Sequence, residues 1–359
     1  MKNFRNRLKI YNKKKILITG HTGFKGSWLS FWLNSLGAKV YGISNNIPTN
    51  PSFFKACNVD RFTKNFYFDL KNSNKLKRTL YKIKPDFIFH LAAQSLVSKS
   101  YKDPNKTWET NLVGTKNLLE ALLKYKRKCS VVIVTSDKCY KNIETHRPYV
   151  ETDILGGSDP YSASKASAEI LFNSYYHSFF KFNKYVNLAS ARAGNVIGGG
   201  DWANDRLIPD CVRLWSKNKK VKIRNPRATR PWQHVLEALS GYLLLGYNLR
   251  KDKNISGQSF NFGPDLRKSY NVENILKLAQ KNWQFSKWEI SKKKLTKFRE
   301  AKLLSLNSSK ARKILDWKFK ISIRSVVQFV ILWYQTFYFH KKDLIKITKQ
   351  QLKFFENLK

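Results

Sequence analysis

The 359-residue chain predicts an α/β fold, a Rossmann-type doubly wound parallel sheet with a smaller C-terminal substrate-binding lobe. Three observations predict it. The apolar run 16–18 ends in Gly20, Gly23 and Gly26, spaced Gly-x-x-Gly-x-x-Gly, and an apolar helical pattern follows at once. Short apolar runs of buried-strand type then alternate with helical patterns through the first half. The residues that carry chemistry fall at the ends of those runs, where an open parallel sheet binds its ligands.

Each element follows in order. The glycine spacing suits a strand that turns tightly into a helix, where one glycine reverses the chain, one lets backbone approach a ligand and one packs helix on strand. The free N–H groups and dipole of that helix start suit a pyrophosphate. Residues 40–44 read as the second strand, 66–68 as a short apolar run, and 86–91 and 131–135 as buried strands. Residues 107–124 carry apolar side chains at helical spacing. A helix through 170–179 precedes a strand at 186–191. After Ala193 the pattern loosens into the loop 198–202 and Arg-rich segments with short helices. The expected division is a dinucleotide-binding domain over 1–193 and a second lobe over 194–359, with some segments of the latter returning to the first domain.

Charge and cysteine bound the class. The formal net charge is +44, which suggests a polyanion partner. The excess is mostly Lys spread from end to end alongside Asn and Ile, all favoured by AT-rich codons, and no Arg-rich block with interleaved aromatics stands out. No specific nucleic acid is expected, whereas anionic substrates such as nucleotides are. Cys57, Cys129, Cys139 and Cys211 lack metal-site spacing, so no metal is expected and a reducing cytosol fits. The longest apolar run, 326–339, is broken by Gln328 and Gln335 and is shorter than the roughly 20 residues of a membrane span, so a helix packed on the body is expected and no membrane partner.

The chemistry centres on two motifs. Tyr161 and Lys165 follow Asp159-Pro160, a helix-start signal, so they share a face four residues apart. A phenol, with an ordinary pKa of about 10, becomes a usable base when a nearby ammonium favours its phenolate. Ser136, Asp137 and Lys138 follow the strand 131–135. The hydroxyl can orient a substrate oxygen toward Tyr161. The Asp-Lys pair reads either as a solvated loop or as an acid/base pair aimed into the cleft.

Taken with His90-Leu91-Ala92-Ala93-Gln94 and Thr110-Asn111-Leu112-Val113-Gly114-Thr115, these motifs resemble the extended short-chain dehydrogenase/reductase family. The segments 20–28, 135–140, 194–202 and 230–236 resemble its nucleotide-sugar 4,6-dehydratases, those acting on CDP-glucose above all. The resemblance runs from about Lys14 to about Tyr334. It implies an NAD cofactor, a CDP-glucose substrate, a homodimer and a hydro-lyase of deoxysugar and O-antigen synthesis. It further implies that Tyr161 takes the C4 hydroxyl proton as hydride passes to NAD, with Ser136 holding the C4 oxygen and Lys165 tuning the phenol. Asp137 then protonates the leaving C6 hydroxyl, Lys138 takes the C5 proton, and hydride returns to C6. The same resemblance puts Gly20, Thr22, Gly23, Phe24, Lys25 and Gly26, the pair Asp69 and Leu70, the stretch Leu91, Ala92, Ala93 and Gln94, and Thr135, Tyr161 and Lys165 against the cofactor. It puts Asn195, Arg206, Leu207, Arg224 and Arg230 against the substrate.

Three departures bear on it. Lys138 stands where dTDP-glucose dehydratases carry Glu. Asn45 and Asn46 stand where an acid usually grips the ribose hydroxyls, which leaves NAD and NADP open. Ser95 and Ser98 stand where the subgroup often has Pro and Arg. The competing readings are a dTDP-glucose or GDP-mannose 4,6-dehydratase, a nucleotide-sugar 4-epimerase with no use for the Asp137/Lys138 pair, and, remotely, a non-catalytic nucleic-acid-binding protein on this fold.

Overall fold

A computed structural model describes residues 4–264, 270–291 and 303–358. Its centre is a seven-stranded, wholly parallel sheet. The strands are β1 (Lys15–Thr19), β2 (Lys39–Ser44), β3 (Lys64–Tyr67), β4 (Phe87–His90), β5 (Cys129–Val134), β6 (Val186–Ala193) and a seventh, Ser259–Phe262. Their spatial order is β3-β2-β1-β4-β5-β6-seventh. The order reverses between β1 and β4, so a crevice opens beyond their carboxyl ends. β4 and β5 are buried at every residue, as strands covered by helices on both faces must be.

Helices cover both faces. Phe24–Ser35 follows β1, Ser73–Ile83 precedes β4 and Pro160–Ser178 precedes β6. The expected helix over 107–124 is there with one difference. Glu109–Val113 forms a π-helical stretch between Pro104–Trp108 and Gly114–Leu123. Such bulges re-aim side chains, and this one carries the buried Asn111.

The chain after Ala193 is interleaved with what precedes it. The Val235–Lys251 helix packs on β5 and β6, and Ser259–Phe262 pairs with β6. The apolar run 326–339 lies in the helix Ile323–Phe339, with Val326, Val330, Trp333, Tyr334 and Phe337 buried. Among the described residues no helix is long and apolar enough to cross a membrane. All four cysteines are free and buried, and the described residues hold no cluster of metal-ligating side chains.

Gly20 and Gly26 are fixed by space. Gly20 has φ +74°, and a Cβ there would lie 2.8 Å from the Ala92 backbone; at Gly26 it would lie 2.1 Å from the Gly20 carbonyl oxygen. Gly114 is helical, and its Cβ would meet Leu70 at an ordinary 3.4 Å. Opposite outcomes follow for the same substitution. Gly26→Ala should destabilise by about 1–3 kcal/mol through overpacking, whereas Gly114→Ala should stabilise by about 0.5–1 kcal/mol through helix propensity. Thermal unfolding of the two variants side by side checks both signs.

Candidate active site

One cleft of about 1760 Å³ opens beyond the carboxyl ends of the strands, and every residue expected at the cofactor, substrate and catalytic positions lines it. The turn after β1 supplies Gly20, Thr22 and Gly23, and the first helical turn supplies Phe24, Lys25 and Gly26. Gly23 caps the helix with no side-chain hydrogen bond and no acid in the first turn. A Cβ at Gly23 would approach only the Gly20 carbonyl oxygen, at 3.3 Å. Backbone donors without a capping side chain, next to a position that a side chain would crowd, fit a pyrophosphate.

Buried polar side chains brace this turn from behind. His21 is fully buried, with Nε2 2.9 Å from Asn65 Oδ1 and Nδ1 3.0 Å from Ser44 Oγ. Its ring occupies the space a side chain at Gly42 would need. Thr22 Oγ1 donates to the Asn46 carbonyl at 2.6 Å, so the segment after β2 is held by a threonine, and it lines the cleft through Ser44, Asn45 and Asn46. At the next strand ends, Thr19 Oγ1 lies 2.7 Å from His90 Nδ1, and His90 Nε2 lies 3.0 Å from Thr115 Oγ1. Burial and the Lys165 charge lower His90 to about 3, so it is neutral and structural.

Two expected cofactor contacts direct their polar atoms elsewhere. The Gln94 amide donates to the Leu96 carbonyl and to Thr107 Oγ1, both at 3.0 Å. It braces its own loop. Thr135 Oγ1 donates to Glu169 Oε1 at 2.5 Å, into the protein. Asp69 Oδ1 accepts from the Lys71 backbone at 2.9 Å, and Leu70 is buried beside it.

The residues expected to be catalytic converge from two elements. Asp159 caps the Pro160–Ser178 helix, accepting from the backbone N–H groups of Tyr161 and Ser162, which places Tyr161 and Lys165 on the first turns. β5 ends at Val134, and a 3-10 turn over Asp137–Cys139 follows. Ser136 caps that turn and stands at the junction of the two halves. Its hydroxyl donates to Asp137 Oδ1 at 2.9 Å, and its nearness lowers the Tyr161 phenol. Lys138 Nζ lies 3.8 Å from Asp137 Oδ1 and 3.4 Å from Asn195 Oδ1. Of the two readings of the Asp-Lys pair, the cleft placement holds: Asp137 is buried and Lys138 is about one-third exposed.

The electrostatics of Tyr161 differ from the simple pairing. Burial pushes its phenol up to about 12, against the Ser136 hydrogen bond and the Arg206 charge, which lower it. Lys165 Nζ donates to the Val134 carbonyl at 3.4 Å, and burial lowers it to about 8 against the Glu169 charge. Arg206, expected among the substrate contacts, therefore also bears on the Tyr161 phenol. It is held by Asp201 at 2.5 Å. Asp201 in turn sits on an aromatic wall: Trp28 Nε1 donates to the Gly199 carbonyl at 2.8 Å and Tyr334 donates to the Asp201 carbonyl at 2.5 Å. Arg224 is exposed on the cleft wall, and Arg230 Nη1 donates to the Thr229 carbonyl at 2.8 Å. Ser98 Oγ donates to Asp205 Oδ2 at 2.9 Å, across the cleft mouth.

Residues missed in the sequence support this set. Asn111 Nδ2 donates to the Gln94 carbonyl at 3.1 Å and to Ser164 Oγ at 2.9 Å, tying the catalytic helix to the loop after β4. Glu169 and Arg192 form a buried ion pair at 2.7 Å. Tyr242 accepts from Lys25 Nζ at 3.3 Å. Glu169 had a legible signal, since it stands four residues after Lys165 on the same helix face. Tyr242 had none, within a run of buried residues from Val235 to Gly246.

Burial alone would raise the Glu169 carboxyl, but the Arg192 charge and its hydrogen bonds outweigh burial and hold it below the ordinary range. A carboxyl held low stabilises the fold above its unfolded pKa and loses that contribution as pH falls through the folded value. Arg192→Met, which strands a buried charge, should cost about 3–5 kcal/mol near neutral pH. Adding Glu169→Gln should recover much of that loss. Urea unfolding of the single and double variants checks the recovery.

Comparison with known proteins now adds the family. The family model described as GDP-mannose 4,6 dehydratase matches residues 17–330. A CDP-glucose 4,6-dehydratase of Salmonella typhimurium is 40% identical over 344 residues, 94% of this chain and 95% of that protein. A dTDP-D-glucose 4,6-dehydratase of Dictyostelium discoideum is 31% identical over 70% of this chain and 59% of its own length. Among solved structures, epimerase Mth375 of Methanothermobacter thermautotrophicus superposes with a TM-score of 0.78 at 22% identity, covering 96% of this chain and 97% of its own. A UDP-glucuronic acid 4-epimerase of Bacillus cereus, in complex with UDP-glucuronic acid and NAD, superposes with a TM-score of 0.76 at 21% identity, over 90% of this chain and all of its own. The structural neighbours show the fold. The family match over most of the chain shows more: this chain belongs to the GDP-mannose 4,6 dehydratase family, among the extended short-chain dehydrogenases/reductases.

Proposed function

We propose that the chain is a CDP-glucose 4,6-dehydratase, a hydro-lyase that forms CDP-4-keto-6-deoxyglucose and water in deoxysugar and O-antigen synthesis. The observation that carries this reading is the meeting of two proton-handling groups in one cleft, Tyr161 with Lys165 and Asp137 with Lys138, joined at Ser136. The Salmonella relative supports CDP-glucose over other nucleotide sugars.

The uncapped helix start and the Gly23 position fit an NAD pyrophosphate. When bound, NAD supplies a temporary store for the hydride taken from C4 and returned at C6, together with a positive ring charge. Burial raises the Tyr161 phenol, the Ser136 hydrogen bond and the Arg206 charge draw it down, and a bound nicotinamide would add a further positive charge. Tyr161 takes the C4 hydroxyl proton while Ser136 holds the C4 oxygen. The resulting ketone acidifies C5–H. Asp137 delivers a proton to the C6 hydroxyl as it leaves, and Lys138 takes the C5 proton. Asn195, Leu207, Arg224 and Arg230 line the part of the cleft suited to the substrate's pyrophosphate and sugar, where guanidinium groups match phosphate oxygens.

We place the enzyme in the cytosol as a homodimer. Ile170, 58% exposed on the Pro160–Ser178 helix, offers one apolar contact for a second copy.

Tests divide the reaction. With a panel of CDP-, dTDP-, GDP- and UDP-sugars, CDP-glucose alone should yield the 4-keto product without net NADH. Turnover of dTDP-glucose or GDP-mannose with CDP-glucose untouched would sink the substrate choice. Tyr161→Phe should lower single-turnover C4 oxidation by roughly 10²–10⁴-fold, so that no NADH transient appears. Asp137→Asn should keep that transient and stall before water loss; equal loss of both half-reactions would make Asp137 structural.

A further inference from the structure

Three consecutive residues of the loop 201–206 bond to three different places. Asn204 Oδ1 accepts from Arg213 Nη1 at 2.6 Å, and Arg206 Nη1 donates to Asp201 Oδ2 at 2.5 Å, both within the loop's own wall of the cleft. Asp205 between them crosses to the opposite wall, where its Oδ2 accepts from Ser98 Oγ at 2.9 Å. The Asp205 backbone stands at φ +61°, in the left-handed region that residues with a Cβ rarely adopt. Such a conformation persists where the surroundings over-determine it. Ser98, Asp205 and Arg206 line the same cleft as Tyr161.

The far end of this bond is braced. Ser98 is the second residue of the Val97–Lys102 helix. Just before that helix, the Leu96 N–H donates to Gln94 Oε1 at 2.7 Å, and the Gln94 N–H donates to Asn111 Oδ1 at 2.8 Å. Asn111 donates in turn to Ser164, on the helix that carries Tyr161. Contacts therefore run from that helix through Asn111 and Gln94 to Ser98, and then over the cleft mouth to Asp205 and its neighbour Arg206. The crossing itself is exposed. An exposed hydrogen bond adds little to folding, so this one opens readily when a ligand must pass.

We propose, on the dehydratase reading above, that Ser98 and Asp205 are positioning residues: their bond straps the two cleft walls together and sets Arg206 against the bound nucleotide sugar. Neither touches the reacting atoms. Ser98 acts through Asp205, and Asp205 acts through the backbone it shares with Arg206. The two holds on Arg206 are complementary. Asp201 fixes its guanidinium end, and the strap fixes its backbone end. An arginine held at both ends loses less freedom when it binds a phosphate or a sugar hydroxyl, so its bond to the ligand is stronger. Ser98 carries no charge. Its removal leaves the number of charges in the cleft unchanged and takes away only the link.

The test uses the full chain with saturating NAD and varied CDP-glucose. Ser98→Ala should raise KM roughly tenfold, as expected for one lost hydrogen bond to a charged group, with the unfolding temperature and NAD retention unchanged. Ser98→Thr, which keeps the hydroxyl, should recover most of that loss. Asp205→Ala should raise KM as Ser98→Ala does, and Asp205→Asn, which keeps an acceptor oxygen, should recover much of it. The double variant Ser98→Ala/Asp205→Ala should be no worse than either single one, because both remove the same link. A wild-type KM in Ser98→Ala, or losses that add in the double variant, would overturn the proposal. A second arm needs no substrate. Backbone hydrogen exchange over residues 201–206 should quicken roughly tenfold in Ser98→Ala, with β5 and β6 unchanged; wild-type exchange in that loop would also overturn the proposal. If the wild type leaves CDP-glucose untouched while the loop still loosens in Ser98→Ala, the dehydratase reading falls and the strap stands.

Discussion

The buried pair of Glu169 and Arg192 joins the parts of the active site that come from different elements. Glu169 sits one turn after Lys165 on the catalytic helix, and Arg192 sits near the end of β6. Burying two charges costs several kcal/mol each, and the attraction between them offsets this only if their remaining donors and acceptors are satisfied. Here nearly all are. Glu169 accepts from Thr135 at the end of β5, from Ser190 and from Ser259 on the seventh strand. Arg192 donates to the Tyr140 hydroxyl and the Glu151 carbonyl. Tyr140 donates to Asn261, whose backbone N–H is taken by Glu151. The network thus fixes the Pro160–Ser178 helix relative to three strands. Tyr161 and Lys165 on one side, and Ser136 and Asp137 on the other, inherit their separation from it.

A second constraint works from the opposite wall. The loop 198–202 is pressed against rings, since a Cβ at Gly199 would lie 2.1 Å from Trp333 and one at Gly200 would lie 2.6 Å from Phe53. Trp28 and Phe53 stack at 4.5 Å, and Phe53 and Trp333 at 5.8 Å. These rings come from the helix after the nucleotide turn, the segment after β2 and the C-terminal helix Ile323–Phe339. Asp201 is carried on this apolar wall and holds Arg206, so an arginine that faces Tyr161 is positioned by packing far from any ligand. The C-terminal helices are part of the site's scaffold for this reason. Trp32 Nε1 closes the arrangement by donating to Glu356 Oε1 at 2.8 Å.

The parallel sheet was legible because its signals are local. Apolar runs, glycine spacing and a Pro-started helix each occupy a few adjacent residues, and the cleft residues follow from where those runs stop. The π-helical stretch over Glu109–Val113 was not legible, because its residues keep ordinary helical apolar spacing. Asn111 was visible within a motif, yet its bonds to Gln94 and Ser164 depend on that bulge. Gln94 and Thr135 were correctly placed at the cleft, but a sequence does not say which way an amide or a hydroxyl turns. The electrostatics of Tyr161 were not legible from its i, i+4 lysine, because the charge that lowers its phenol belongs to Arg206, in a loop 45 residues further along the chain.

The charge of the chain takes on meaning only at the cleft. Scattered surface lysines change solubility and attract polyanions loosely. Around Asp137 the situation differs, since Lys25, Lys138, Lys165 and Arg206 belong to one electrostatic neighbourhood. Like charges held together in a partly desolvated space repel one another, and a protein tolerates this where something negative completes the set. A nucleotide pyrophosphate is such a group. Burial makes the Lys25 and Lys165 amines easier to deprotonate, and in Lys25 the Arg206 charge adds to it. One crevice therefore gathers cations suited to an anionic ligand and desolvates two of them, Lys25 and Lys165.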